Sequence, residues 1–337
     1  MARQAGLLVV AFVATFVLLA GGVAMVRRGA AEEASRTTPA APAGSAPVIA
    51  ASPGRSGPPG LPTFDPTGSG PPPTIVLTGA GDIGDCAYDG AAMTADILAG
   101  QAGFFFTAGD NAYPDGSAAN FSACYDPSWG RVRDRTILPA PGNHDWITPG
   151  AAGYLGYFGP AAAPDGVTWQ SLDLGAWHVI VLDSDCANVG GCDAASPEGR
   201  WLAKDLAASQ ARCTLAIWHH PRFSSGEHGD DPQVGPFWDL LYAHGAELIV
   251  NGHDHDYERF APQDPSGRIV RPGGIREIVI GTGGSELRSF HTLAANSEFR
   301  QAGTYGVLRL TLHPANYDWE FLPVGSDVAD AGSTPCH

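Results

Sequence analysis

Basic charge is scarce in this chain of 337 residues: 19 Lys and Arg stand against 35 Asp and Glu, a formal net charge of −16. That argues against a nucleic-acid backbone as partner, because nothing here would release counterions from a run of phosphates. A small phosphate ester remains open, since metal ions can meet its charge locally. No Cys-x-x-Cys pair occurs, which disfavours a zinc knuckle. No internal repeat is visible. Charged residues make up only 16% against 44% hydrophobic ones, so the composition can fill a large core in a soluble domain.

One long apolar run is present at the N-terminus. Ala5–Val26 carries no charge, with Arg3 before it and Arg27–Arg28 after it. It exceeds the apolar core of about 7–15 residues in a signal peptide and approaches the roughly 20 needed to span a bilayer. Residues 1–29 are therefore expected to be a signal peptide or a signal anchor, and an uncleaved segment would tether the protein to a membrane. Residues 30–73 are rich in Ala, Pro, Gly and Ser, end in Pro71-Pro72-Pro73 and lack apolar periodicity. They read as a disordered linker. Residues 74–337 suit one large domain. Behind an export segment, an even count of six cysteines points to disulfides. Many connectivities are open and sequence does not choose among them. The pairing expected here is Cys186–Cys192 as a local loop, Cys86–Cys124, and Cys213–Cys336 tying down the C-terminus.

The stretch Asn251–Glu258 reads Asn-Gly-His-Asp-His-Asp-Tyr-Glu and follows the apolar run Ala246–Val250. Two imidazoles at i and i+2 just past a buried strand are good ligands for iron, zinc or manganese. Matching polar blocks precede it, each after a predicted strand. Thr74–Ala80 runs into Gly81-Asp82-Ile83-Gly84, and Phe104–Ala108 into Gly109-Asp110-Asn111-Ala112-Tyr113. Thr136–Ala140 runs into Gly142-Asn143-His144-Asp145, and Cys213–Trp218 into His219-His220-Pro221. Helices are expected at Ala91–Ala99, from Pro197 to about Ser209 behind a Ser196 cap, and at Phe237–Ala243. Val167–Leu174 with Trp177–Asp183 alternates like a hairpin, and Ile275–Ile280, Tyr305–Leu312 and Tyr317–Leu322 read as further strands. Alternating strands and helices argue for α/β layers, and the all-strand tail for a second or mixed sheet. Ligands of such folds sit beyond the carboxyl ends of strands, which puts the polar blocks on one rim.

That rim offers two carboxylates, an amide oxygen, three imidazoles and a phenol. These are too many ligands for one ion and suit two. Two metals about 3.5–4 Å apart can clamp the attacking and leaving oxygens of a phosphoryl displacement.

The five blocks, taken in order, resemble those of the metallophosphoesterase (calcineurin-like) superfamily, and its purple acid phosphatase branch in particular. The resemblance spans about Ile75–Glu286. It implies a layered α-β-β-α sandwich with mixed sheets. It implies that Asp82, Tyr113 and His255 hold a first metal, Asn143, His219 and His253 a second, and that Asp110 bridges them. His144 would lie beside the substrate phosphate. The stretch His219–Gly229 also looks like the small animal-type enzymes, in which the histidine at the position of His228 faces the leaving group. Diesterases of the superfamily carry histidine where this chain has Gly84, so Tyr113 can take that place. A phenol titrates near about 10 and needs a strongly polarising ion to bind as phenolate. The first metal is therefore expected to be iron(III), the second iron(II), zinc or manganese. The implied activity is extracytoplasmic hydrolysis of small phosphate monoesters by metal-held hydroxide. A phosphodiesterase on the same site is the rival reading, and a non-catalytic cell-surface binding module a more distant one. Asp254 and Asp256 read as solvated or supporting carboxylates, His220 as a packing residue. Trp146, Tyr154, Tyr157 and Phe158 suit either a pocket or the core.

Overall fold

The computed structural model describes residues 72–337. The expected signal or anchor segment and all but the end of the expected linker lie outside the described residues. No helix among the described residues is long and apolar enough to cross a membrane.

Thirteen strands form two sheets among the described residues. In chain order they are β1 Ile75–Ala80, β2 Phe104–Ala108, β3 Thr136–Ala140, β4 Gln170–Leu174, β5 Trp177–Val181, β6 Cys213–Ile217 and β7 Leu248–Asn251. There follow β8 Tyr257–Phe260, β9 Arg276–Ile280, β10 Ser297–Gln301, β11 Gly306–Leu312, β12 Asn316–Pro323 and β13 Asp330–Pro335. The first sheet runs β13-β12-β11-β1-β2-β3 and the second β10-β8-β9-β7-β6-β5-β4. β1, β2 and β3 are parallel to one another, as are β5, β6, β7 and β9, and the outer strands pair antiparallel. The two mixed sheets of the expected fold are thus present.

Side-chain alternation in the central strands explains the layering. Successive residues point to opposite faces. In the second sheet Val179, Val181, Leu215, Ile217, Leu248 and Val250 face the first sheet, in one core with Leu77, Phe106, Leu308 and Phe321. Ile180, Ala216, Trp218 and Ile249 face outward, where the helices Pro197–Ala208 and Gly235–Ala243 cover them with Leu202, Leu206, Phe237, Trp238 and Leu241. Strands buried on both faces read as continuous apolar runs, which is why they were legible in sequence. Ser196 caps its helix as expected, its hydroxyl accepting from Gly199 N at 2.9 Å.

The tail is divided between the sheets. β8, β9 and β10 extend the second, while β11, β12 and β13 pair onto β1 in the first. The three expected disulfides are present: Cys86–Cys124, Cys186–Cys192 and Cys213–Cys336. Tyr154 and Phe158 are core residues, with Trp146 and Tyr157 packed against that core. Asp254 and Asp256 are fully buried, which corrects the solvated reading of both.

Candidate metal centre

Every polar block of the sequence lies where its strand ends, and the ends meet. β1 delivers Asp82, β2 Asp110 and Tyr113, β3 Asn143 and His144, β6 His219, and β7 His253 and His255. Beyond the strands the loops pair with one another: Asp82 N donates to Gly109 O at 3.0 Å, and Gly252 N to His219 O at 3.0 Å. Asp82, Asp110 and His253 occupy the left-handed region, with φ of 61, 49 and 72°. For non-glycine residues this costs roughly 1–3 kcal/mol each and persists only where the surroundings impose it. Gly109 cannot be replaced at this crossing: its φ is +86°, and a Cβ there would lie 2.4 Å from His219 Nδ1.

Each aspartate gives one oxygen to the scaffold and one to the centre. Asp82 Oδ2 accepts from His253 N at 2.8 Å, and Asp110 Oδ1 from His144 N at 2.8 Å. Their other oxygens belong to two donor sets. In the first, the Tyr113 hydroxyl lies 2.8 Å from Asp82 Oδ1, 3.0 Å from Asp110 Oδ2 and 3.2 Å from His255 Nε2. In the second, His219 Nε2 lies 3.2 Å from Asp110 Oδ2, 3.1 Å from Asn143 Oδ1 and 3.2 Å from His253 Nδ1. Asp110 Oδ2 is the atom common to both. All seven sequence-predicted ligand residues are therefore brought together.

The donor chemistry fits cations. His219 Nδ1 donates to Ala108 O at 2.9 Å, and His255 Nδ1 donates to Glu286 O. A ring nitrogen engaged with a carbonyl fixes the tautomer and leaves Nε2 with a free lone pair. His219 Nε2 then faces a carboxylate oxygen, an amide oxygen and a second imidazole nitrogen. Either a proton or a metal cation must sit among them. With a proton there, burial opposes the charge on His219, but Asp110 and Asp82 push its pKa up to about 10. Burial, then Asp110 and Asp82, likewise hold the Tyr113 phenol well above its ordinary range, so it ionises here only for a strong cation. His253 is held neutral by burial and by His219, the state a metal ligand needs.

A family model, calcineurin-like phosphoesterase, matches residues 75–257. The chain belongs to this family. Among curated relatives, purple acid phosphatase 15 of Arabidopsis thaliana is 32% identical over 127 residues, 35% of this chain and 22% of its own. Acid phosphatase type 7 of Homo sapiens is 26% identical over 45% of this chain and 40% of its own. The aligned parts thus span well under half of these relatives' length. Among solved structures, the purple acid phosphatase PPD1 from yellow lupin seeds superposes with a TM-score of 0.62 at 17% identity, over 78% of this chain and 54% of that one. GAP50, described as the anchor in the inner membrane complex of Plasmodium, reaches 0.58 at 15% identity, over 78% and 89%. At such identities the likeness is one of fold, and fold alone does not carry function.

Around the candidate centre stand groups that are not candidate ligands. His144 Nδ1 lies 2.6 Å from Pro114 O, and its Nε2 is 3.9 Å from Asp110 Oδ2. The His228 ring stacks on His253, centroids 4.2 Å apart. His220 meets Ser184 Oγ through Nδ1 at 2.8 Å and packs beside His253, as expected. Arg288 was not legible in sequence, because the family motifs end before it. Its Nη1 donates to His228 Nε2 at 2.6 Å, and its Nε is 3.6 Å from Glu227 Oε2. Buried Asp254 accepts from His228 N at 2.8 Å, Gly229 N at 3.2 Å and the Ser224 hydroxyl. It thereby pins the loop that carries His228. Asp145 does the same under the other side of the centre, accepting from Asn111 N and Nδ2 and Gly142 N through Oδ2.

Proposed function

We propose that this protein is an exported metal-dependent phosphatase that hydrolyses phosphate monoesters, with residues 74–337 as its catalytic domain. The observation that carries the proposal is the meeting of seven donor side chains in two sets that share Asp110 Oδ2. Asp82, Tyr113 and His255 would hold one ion, Asn143, His219 and His253 the other, and Asp110 both. Tyr113 favours iron(III) in the first set, with iron(II), zinc or manganese in the second. Bound ions at such a centre supply Lewis-acid polarisation of phosphoryl oxygens and a hydroxide nucleophile near neutral pH.

The chain's own groups supply position and protons. His144, anchored through Nδ1 to Pro114 O, presents Nε2 toward the centre, where it would contact a phosphoryl oxygen. His228 is the proton source for the leaving oxygen. Arg288 donates to its Nε2; burial, and with it this guanidinium, works against a charge on the ring and outweighs the opposing pull of Asp254. A bound phosphate dianion competes for Arg288, and Nε2 then becomes free to carry the proton. Three disulfides support export, because such bonds persist in oxidising compartments.

The test is metal analysis of the purified protein together with turnover of matched mono- and diester substrates. Two metal ions per chain and preferred monoester hydrolysis are expected. A protein that retains a full metal complement and cleaves only diesters would replace the monoester reading. A chain that binds no transition metal would sink the proposal.

A further inference from the structure

A cavity of about 510 Å³ opens beside His228. It is bounded by the loop 223–230, the turn at Ser266 and Gly267, and the segment 291–295. His228 belongs both to this cavity and, through its stack on His253, to the metal centre. A group that departs toward His228 therefore has this open recess beside it.

The fixed charges lining the cavity are carboxylates, beside the titratable rings of His228 and His291. Glu227 and Asp230 line it, and no Arg or Lys does. Arg288, which donates to His228 Nε2, is not part of the lining, but its Nε stands 3.6 Å from Glu227 Oε2. The loop is also held in place rather than loosely draped. Asp254 accepts from His228 N and Gly229 N, buried Glu258 accepts from Ser225 N at 2.7 Å and Ser225 Oγ at 2.6 Å, and Asp230 Oδ1 accepts from Ser224 N at 2.9 Å. A loop fixed by three carboxylates presents Glu227 and Asp230 at set positions, and such preorganisation lowers the cost of binding.

We infer that the substrate is the phosphate monoester of a small cationic alcohol, an amino alcohol or its N-methylated form. The phosphate lies toward Arg288 and the metal centre, and the ammonium lies in the cavity between Glu227 and Asp230. The inference rests on the phosphatase reading above. As the phosphate draws Arg288 away from Glu227, that carboxylate is freed for the ammonium. Hydrolysis breaks the ester P–O bond, water supplies the oxygen to phosphorus, and the alkoxide leaves with a proton as the free amino alcohol. An anionic leaving group would meet two carboxylates and be disfavoured.

The experiment uses the full-length, metal-loaded protein and three esters of matched length: phosphoethanolamine or phosphocholine, 2-hydroxyethyl phosphate, and phosphoglycolate. An aryl phosphate serves as control. The expected order of kcat/KM is cationic over neutral over anionic, about tenfold from first to second at low salt and shrinking as salt rises. In Glu227→Gln/Asp230→Asn the cationic ester should fall to the level of the neutral one. Free choline should compete in the wild type, a readout that does not depend on the variant folding. Equal rates on the cationic and neutral esters, no competition by choline, or a preference that survives in the double variant would each overturn the inference. Failure on all four substrates would instead overturn the phosphatase reading itself.

Discussion

Removing the Cys213–Cys336 disulfide should cost much stability and little activity. The bond joins the start of β6, in the second sheet, to the residue after β13, in the first. It staples the two sheets at the end of β6 opposite His219. Its partners are 123 residues apart. Loop-closure entropy for such a separation gives about 5 kcal/mol, against about 2 kcal/mol for the six-residue Cys186–Cys192 loop. For a domain of this size that corresponds to a fall in Tm of about 10–20 °C for the first and about 4–8 °C for the second. The Cys86–Cys124 bond, with a separation of 38, falls between them in stability. It lies two residues beyond Gly84 in the loop that carries Asp82, so its loss should lower activity more than the loss of Cys213–Cys336. The assay is a thermal melt and turnover at 20 °C for the three paired Cys→Ser variants. If the Cys186–Cys192 pair costs as much stability as Cys213–Cys336, or if the Cys213–Cys336 variant is inactive while fully folded at 20 °C, the reasoning is wrong.

Asp110→Asn keeps an acceptor for His144 N but removes the charge shared by both donor sets; metal content should fall at both sites and kcat/KM by at least about a hundredfold, checked by metal analysis and kinetics. Iron-loaded, oxidised protein should be coloured through a phenolate-to-metal band, and Tyr113→Phe should bleach it while retaining bound metal; an unchanged visible spectrum would remove Tyr113 from the ligand set. His178 lies 2.8 Å from both Asp173 Oδ1 and Asp205 Oδ2. Burial works against its charge, but those two hydrogen bonds win and raise its pKa from 6.5 to about 9. Because folding raises this pKa, the contribution of about 3 kcal/mol is complete below pH 6.5 and is lost as pH rises through 9. Wild-type Tm should therefore drop more steeply than that of His178→Gln between pH 7 and 10, and parallel profiles would refute it.

The sequence by itself determined the central strands and the order of the site blocks. Strands buried on both faces are written as continuous apolar runs, and each polar block follows its run directly, so local pattern sufficed. Three strands escaped it. Tyr257–Phe260 is short and continues a motif, while Ser297–Gln301 and Asp330–Pro335 are polar edge strands, whose pairing rather than composition makes them strands. Tertiary structure also decided which sheet each tail strand joined, because register and partner are properties of two segments at once. It alone put Asp82, Asp110 and His253 into left-handed backbone, since only the crossing of loops imposes that strain. It gave Asp254 and Glu258 to the loop that carries His228 and set Arg288 against that ring. Arg288 lies beyond the site motifs, and Asp254 and Glu258, although inside one, acquire this role only where burial and close approach leave each polar group a single set of partners.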